Sequence, residues 1–238
     1  MKSDEEKHMI KGSLCECNDC IVRDLIFSHV PSEGSKYVCK SKVEVKYKKG
    51  ETVIRSGDEI KNMICIKEGL IKIYRSSDKH SDQIISITRP FEFTYLLSLF
   101  SDKYYNFNIS AIEDTTVCFI SLENIKKMVL ENGSFAMSLL EKLSTATDKI
   151  VKNFTNINQK NLSGRVAYIL LLFADEIYKS RTFNLPVSRK EIAELIGMTT
   201  ENVIRIMSEF RKEGIIRIHT KEIEIKDYHR LSLIMEQG

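Results

Sequence analysis

Residues 187–216 read VSRKEIAELIGMTTENVIRIMSEFRKEGII, and the reading of the whole chain turns on them. Ser188 is placed to cap a helix, and Glu191 three residues on completes a capping box. Ile192, Leu195 and Ile196 fall on one face of that helix. Gly197 supplies a permissive backbone for a turn, and Thr199 is a cap for a second helix. Val203, Ile206, Met207 and Phe210 give the second helix a buried stripe, leaving Thr200, Glu201, Asn202 and Arg205 on its other side. After Gly214 the run IIRIHTKEIEIK alternates Ile216, Ile218, Ile223 and Ile225 with polar residues around Thr220 and Lys221, the pattern of a two-stranded hairpin. A helix-turn-helix with a hairpin behind it is a winged helix. Its second helix meets base edges in the major groove, and Lys221 at the wing tip lies near phosphates. Two amphipathic helices with a charged outer face also occur as plain solvated surface; the hairpin is what favours a DNA reader.

The rest of the chain bounds this reading. A length of 238 residues suits two modest domains. A 42% hydrophobic and 29% charged composition is that of a soluble globular protein, and no apolar run approaches the roughly 18 residues of a membrane span. The N-terminus MKSDEEKHMIKGS has no apolar core of a secretory signal, so a cytoplasmic location is expected. A net charge of +3 is too small for binding by bulk charge, so phosphate contacts must come from placement. No Ser-His-Asp order, P-loop or HExxH stands out, and the five histidines are scattered, so no enzyme is expected.

From Val38 to Ser121 the texture is that of short strands. VEVKY, ETVIRSGD, MICIKEGLIKIYR, QIISIT and FNISAIEDTTVCFIS carry β-branched or aromatic residues at period two, with turns at Lys49-Gly50, Ser56-Gly57-Asp58, Glu68-Gly69 and Ser76-Ser77-Asp78. That is the profile of a sandwich or roll. Beyond Asn132-Gly133 the period becomes helical, with Ser134 as the expected cap. Phe135, Leu139, Leu143, Ala146, Ile150 and Phe154 form a narrow seam that reads as a coiled-coil dimer contact, or as packing onto the chain's own strands. GRVAYILLLFADEIY reads as an apolar support helix and Tyr178 to Pro186 as a loop.

Strand roll, long helix and winged helix in this order resemble the CRP/FNR family of bacterial transcription regulators, over roughly residues 15–225. KKGETVIRSGDEIKNMICIKEGLIKIY resembles its first roll segment, with Gly50, Gly57 and Gly69 at the turns, and SRKEIAELIGMTTENVIRIM resembles its DNA-binding signature. The resemblance implies an α+β chain with an N-terminal β-roll of the cyclic-nucleotide-binding-like jelly-roll type, a long dimerisation helix and a C-terminal winged helix-turn-helix. The expected divisions are 1–27, a cysteine-containing segment; 28–130, the roll; 131–158, dimerisation helix and hinge; and 159–238, the DNA-binding domain. The expected DNA readers are Ser188, Arg189, Thr199, Thr200, Glu201, Asn202, Arg205 and Lys221. By resemblance Ser188 and Arg189 meet phosphates, Thr199 touches the backbone, Glu201 accepts from a cytosine amino group and Arg205 reads guanine. Thr200 stands where cAMP-responsive members carry arginine, and Ile204 where oxygen-sensing members carry serine, so neither familiar half-site is implied.

The signal is less determined. Cyclic-nucleotide-binding members use a Gly-Glu pair and a later Arg-Ser/Thr-Ala. Here Asn108-Ile109-Ser110-Ala111 has no arginine before Ser110, which argues against cAMP, although Glu92 remains. The oxygen-sensing branch holds a [4Fe–4S] cluster on N-terminal cysteines and one roll cysteine. By resemblance Cys17, Cys20 and Cys118 match, and Cys15 is a substitute for the fourth thiolate. Three readings stay open: this cluster on Cys15, Cys17, Cys20 and Cys118, a thiol–disulfide switch among the same residues, or ordinary strand cysteines at Cys39, Cys65 and Cys118 beside an inert N-terminal trio. Zinc on these thiolates has no motif of its own. The expected partners are a near-palindromic double-stranded operator, a second copy of the chain, and RNA polymerase for an activator. The other class of reading is an effector-binding module whose winged helix serves protein contacts.

Overall fold

Alternating side chains from Val43 to Ser121 have two faces to bury, and the computed structural model, which describes residues 42–76, 82–90, 92 and 98–238, buries them in a roll of antiparallel strands. The strands are β1 (Val43–Tyr47), β2 (Thr52–Ile54), β3 (Asn62–Glu68), β4 (Ile71–Arg75), β5 (Gln83–Thr88), β6 (Asn108–Ala111) and β7 (Thr115–Ser121). They form two sheets, in the orders β1-β7-β3 and β2-β6-β4-β5. Met63, Ile64, Cys65 and Ile66 are buried in succession, so β3 is covered on both faces, as its unbroken apolar run implies. In β4, buried Ile71 and Ile73 alternate with less buried Lys72.

The turn between β3 and β4 has a specific steric demand. Gly69 has φ +84, and a Cβ there would lie 2.7 Å from the Thr115 Cα and overlap the Asp114 carbonyl. The adjoining Leu70 carbonyl accepts from the Ile112 N–H at 2.9 Å and the Thr115 hydroxyl at 3.1 Å. The chain therefore passes close over the β6–β7 connection at a point where a side chain does not fit.

Helix α1 (Leu122–Glu131) follows, with Ser121 as its cap, and α2 (Gly133–Asn158) follows that. The cap of α2 is Asn132 rather than the expected Ser134, since Asn132 Oδ1 accepts from the Phe135 N–H at 2.9 Å. The expected apolar seam of α2 also divides. Phe135, Leu139 and Ala146 are buried within the chain, whereas Phe154 at its far end is 66% exposed. A second row lies beside it: Met137, Leu140, Ser144, Thr147, Val151 and Phe154, at alternating three- and four-residue steps. Met137 is 58%, Leu140 55% and Val151 57% exposed. This second row has the heptad spacing of a coiled-coil seam.

Two compact units divide the described chain. The first holds 42–73 and 87–147 with residue boundaries inside α2; the second holds 148–238 together with 74–76 and 82–86. In the second unit α3 (Leu162–Leu171) runs into a π-helical turn, Leu172–Ile177, where the Tyr178 N–H donates to the Phe173 carbonyl at 2.9 Å. The wider turn brings Phe173, Tyr178 and Phe183 into one stack, with ring centroids 5.5 to 6.3 Å apart. Phe183 belongs to β8 (Thr182–Asn184), in the stretch expected to be a loop. Then come α4 (Arg189–Ile196), α5 (Thr200–Lys212), β9 (Ile216–His219), β10 (Glu222–Ile225) and α6 (Tyr228–Gln237). The wing is a three-stranded sheet in the order β8-β10-β9. Among the described residues no helix is long and apolar enough to cross a membrane.

Candidate nucleic-acid interface

The first motif helix starts where its sequence signals it. The Ser188 hydroxyl accepts from the Glu191 N–H at 3.1 Å, and the Glu191 carboxylate accepts from the Ser188 N–H at 2.8 Å, a complete capping box. Gly197 ends α4 in the left-handed region, φ 63, and the Met198 N–H reaches back to the Ala193 carbonyl at 3.0 Å. Ile192, Ala193 and Ile196 are the buried residues of α4; Leu195 is only half-buried. A residue that the sequence did not single out fixes this turn. Arg165 on α3 donates from Nη1 to the Ile196 carbonyl at 3.1 Å and from Nε to the Lys160 carbonyl at 2.9 Å. One guanidinium thus satisfies the end of α4 and ties the turn to the support helix.

The second motif helix follows the expected pattern closely. The Thr199 hydroxyl accepts from the Asn202 N–H at 3.3 Å. Val203, Ile206, Met207 and Phe210 are all buried. On the opposite side Glu201, Ile204 and Arg205 are exposed and Thr200 and Asn202 half-buried. Ile204 is 53% exposed, so it belongs to the outer face rather than the core. Glu201, Arg205 and Glu209 stand one turn apart in a row. Arg205 Nη1 lies 2.8 Å from Glu209 Oε1, a pair that the sequence reading missed although its four-residue spacing was visible. Release of Arg205 toward a base costs about 0.3–0.5 kcal/mol at such an exposed pair.

Two of the other expected readers, Arg189 and Lys221, are cations. Arg189 is half-buried, burial holds its guanidinium below the usual value, and it has no carboxylate partner among the described residues. It remains charged. Lys221 is exposed at the turn of the wing, where Thr220 adopts φ 55 and the Lys221 carbonyl accepts from the Leu185 N–H at 2.8 Å. The wing's Glu224 stays ionised, its carboxyl held below the usual range by the hydrogen bond from Lys226, 2.7 Å away, and the charges of Lys226 and of Arg217, at 3.8 Å, offset its own. Replacing Ser188 with alanine removes one half of the capping box. We expect a loss of about 1 kcal/mol in chemical denaturation of the full chain; an unchanged midpoint would show that Glu191 alone holds the helix start.

In the roll, Glu92 Oε1 accepts from Arg89 Nε at 2.8 Å, so the glutamate singled out in the ligand reading is bridged to a cation three residues earlier. Ile109, where cyclic-nucleotide-binding members carry arginine, is fully buried in β6. Cys118 is buried in the central strand β7, opposite Cys65 on β3. Cys15, Cys17 and Cys20 lie outside the described residues. Among those described, no group of three or more His, Cys, Asp or Glu is arranged to hold a metal ion. The described residues thus provide one of the four thiolates and do not by themselves make a cluster site.

A helix-turn-helix capped at both starts, backed by a wing and preceded by a β-roll, is the architecture of a DNA-binding regulator. Comparison with known proteins agrees. Residues 44–132 match the family model of the cyclic nucleotide-binding domain, and residues 164–234 match that of the Crp-like helix-turn-helix domain. The transcriptional activator protein FnrA of Stutzerimonas stutzeri is 26% identical over 184 residues, 76% of this chain and 75% of that protein. The fumarate and nitrate reduction regulatory protein of Escherichia coli K12 is 24% identical over 238 residues, 95% of each. The solved structure of FixK2 from Bradyrhizobium japonicum superposes with a TM-score of 0.71 at 21% identity, covering 81% of this chain and 96% of that one. The chain belongs to the CRP/FNR family of DNA-binding transcription regulators.

Proposed function

We propose that the chain acts as a homodimer, with the exposed face of α5 reading one half of a near-palindromic operator in each protomer. The observation that carries this is the row of Glu201 and Arg205 on the outer face of a helix whose other side is fully buried. In this reading Arg205 donates to guanine and Glu201 accepts from a cytosine amino group, while Thr200 and Asn202 lie beside them on the reading face. Ser188, Arg189, Thr199 and Lys221 fix the register on phosphates. The exposed heptad row of α2 supports the dimer, because a second copy is the partner that such a row fits by symmetry. Two-fold symmetry then sets the half-sites about one DNA turn apart. The work is regulatory rather than catalytic and intracellular, and it includes contact with RNA polymerase at promoters that the protein activates.

The signal is sensed at the roll and the N-terminal cysteines, as a redox or oxygen response or through a small molecule. Cys118 is the fixed point of that reading, with Cys15, Cys17 and Cys20 as the other thiolates of a [4Fe–4S] cluster or of a thiol switch. A sensor of this kind works only if the two forms differ in their affinity for the signal.

The test of DNA reading uses a duplex selected by the wild-type protein from a randomised pool. Fluorescence anisotropy is then followed for wild type, Glu201→Ala and Arg205→Ala. Each substitution is expected to weaken binding by about 1–3 kcal/mol and to relax preference at its own base pair. Wild-type affinity and selectivity in both variants would remove the recognition assignment. Anaerobic purification with iron and sulfide counts tests the cluster: about four iron per chain supports it, and an iron-free, colourless protein opposes it.

A further inference from the structure

We propose that Glu209 is a positioning residue for DNA reading: it holds the Arg205 guanidinium away from Glu201, so that each of the two readers is left open for its own base. This role rests on the assignment of the outer face of α5 to base reading. Glu201, Arg205 and Glu209 follow one another at four-residue steps on α5. Arg205 therefore has one carboxylate a turn before it and another a turn after it. The pair that forms is the second, in which Arg205 Nη1 donates to Glu209 Oε1 at 2.8 Å. Glu201 is exposed and has no ion-pair partner among the described residues.

On a bare helix the opposite choice is favoured. A glutamate four residues before a cation interacts better with it than one four residues after it. Arg205 thus stands between two competing carboxylates, and Glu209 holds it. The choice matters because of what the readers carry. Arginine has only donors, and an ionised carboxylate has only acceptors. Bonded to each other, they would engage the Glu201 oxygens needed for a cytosine amino group and the Arg205 donors needed for guanine O6 and N7. Glu209 prevents that self-pairing.

The pair with Glu209 does not block the contact with guanine. Arginine has five N–H donors; Glu209 takes one, and a bidentate guanine contact needs two. Arg205 can therefore read without leaving Glu209. The Arg205 side chain is 55% exposed, and a side chain of this length loses rotamer freedom when it docks. A carboxylate that already restrains it reduces that loss. Glu209 also brings a negative charge to the face that meets DNA, which phosphates disfavour at every sequence alike. It thus lowers non-specific affinity while it sharpens reading at two base pairs, and specificity is the difference between the two.

The full chain is compared as wild type, Glu201→Ala, Arg205→Ala, Glu209→Ala and the double variant Arg205→Ala, Glu209→Ala. The probes are the duplex that wild type selects from a randomised pool, its single-base-pair variants and a random-sequence duplex, all at one salt concentration. Fluorescence anisotropy of Glu201→Ala and Arg205→Ala first marks the base pair that each residue reads. Glu209→Ala is then expected to lower discrimination at both pairs by about three- to tenfold, with no loss of affinity for random-sequence DNA. Its melting temperature should stay that of wild type, because an exposed pair adds little to stability. In the Arg205→Ala background the same change should leave discrimination as it is, since it acts through Arg205. Discrimination unchanged or raised in Glu209→Ala overturns the proposal, because the carboxylate would then be inert or a lock on Arg205. An equal loss on selected and random-sequence DNA, the mark of general damage, overturns it too. If Glu201→Ala and Arg205→Ala relax no base pair, the DNA-reading assignment fails and this role with it. If they do and Glu209→Ala does not, the role of Glu209 alone fails.

Discussion

A Leu140→Asp, Phe154→Asp double variant is expected to sediment as a monomer at micromolar concentration and to lose operator affinity by at least about 100-fold. Leu140 and Phe154 are 55% and 66% exposed, so each still has more than half of its surface to bury. That is worth on the order of 1 kcal/mol or more per side chain, and a symmetric contact uses each of them twice. Four such losses are roughly 4 kcal/mol, or about a thousandfold in the dimer dissociation constant. The introduced carboxylates add the penalty of burying charge. The same exposure predicts that the isolated chain's melting temperature is nearly unchanged, since neither side chain belongs to its own core. A variant that remains dimeric, measured by analytical ultracentrifugation, would show that the exposed heptad row is not the dimer contact.

Gly69→Ala is expected to lower the stability of the first unit by about 2–4 kcal/mol, or to abolish soluble expression. An alanine at φ +84 is strained by about 1–2 kcal/mol before any contact is counted. Its Cβ would also sit 2.7 Å from the Thr115 Cα and overlap the Asp114 carbonyl, both backbone atoms that no side-chain rotation can clear. For a chain of this size a loss of that order lowers the melting temperature by roughly 5–15 °C. Gly50→Ala is the matched control: φ is +90, but nothing lies within 4 Å of the added carbon. If the two variants melt together, the close approach at Gly69 contributes nothing.

The motif at 187–216 was legible because its signals are local. Ser188, Glu191, Gly197 and Thr199 act within three or four residues, and all four take the expected conformations. The long helix was only partly legible because two rows share it. Phe135, Leu139 and Ala146 repeat at the 3.6-residue period of a helix lying on its own chain, whereas Met137, Leu140, Ser144, Thr147, Val151 and Phe154 repeat at 3.5. Ser144 and Thr147 interrupt the second row with hydroxyls, and that concealed it. β8 was hidden by its length, since Thr182–Asn184 has only Phe183 to mark a strand. The π-turn leaves GRVAYILLLFADEIY looking like an ordinary apolar helix, because one extra residue does not disturb a run that is apolar nearly throughout. Arg165 and the Cys65–Cys118 pair depend on register and distance across the fold, for which a single sequence carries no signal.

The hydroxyls in that row have a mechanical consequence. Thr147 Oγ1 donates to its own helix, at the Leu143 carbonyl 2.9 Å away, so it needs no partner across a helix pair. Ser144 and Thr147 are small, and larger side chains flank them at 137, 140, 151 and 154. In the proposed dimer two such helices would come closest at that level, with bulk above and below holding them apart. That level would then be the fulcrum of the pair, and α2 extends eleven residues past Thr147 to Asn158. At a rise of 1.5 Å per residue that arm is about 16 Å long. A 10° tilt about the fulcrum carries its end by roughly 3 Å, close to the 3.4 Å between successive base pairs.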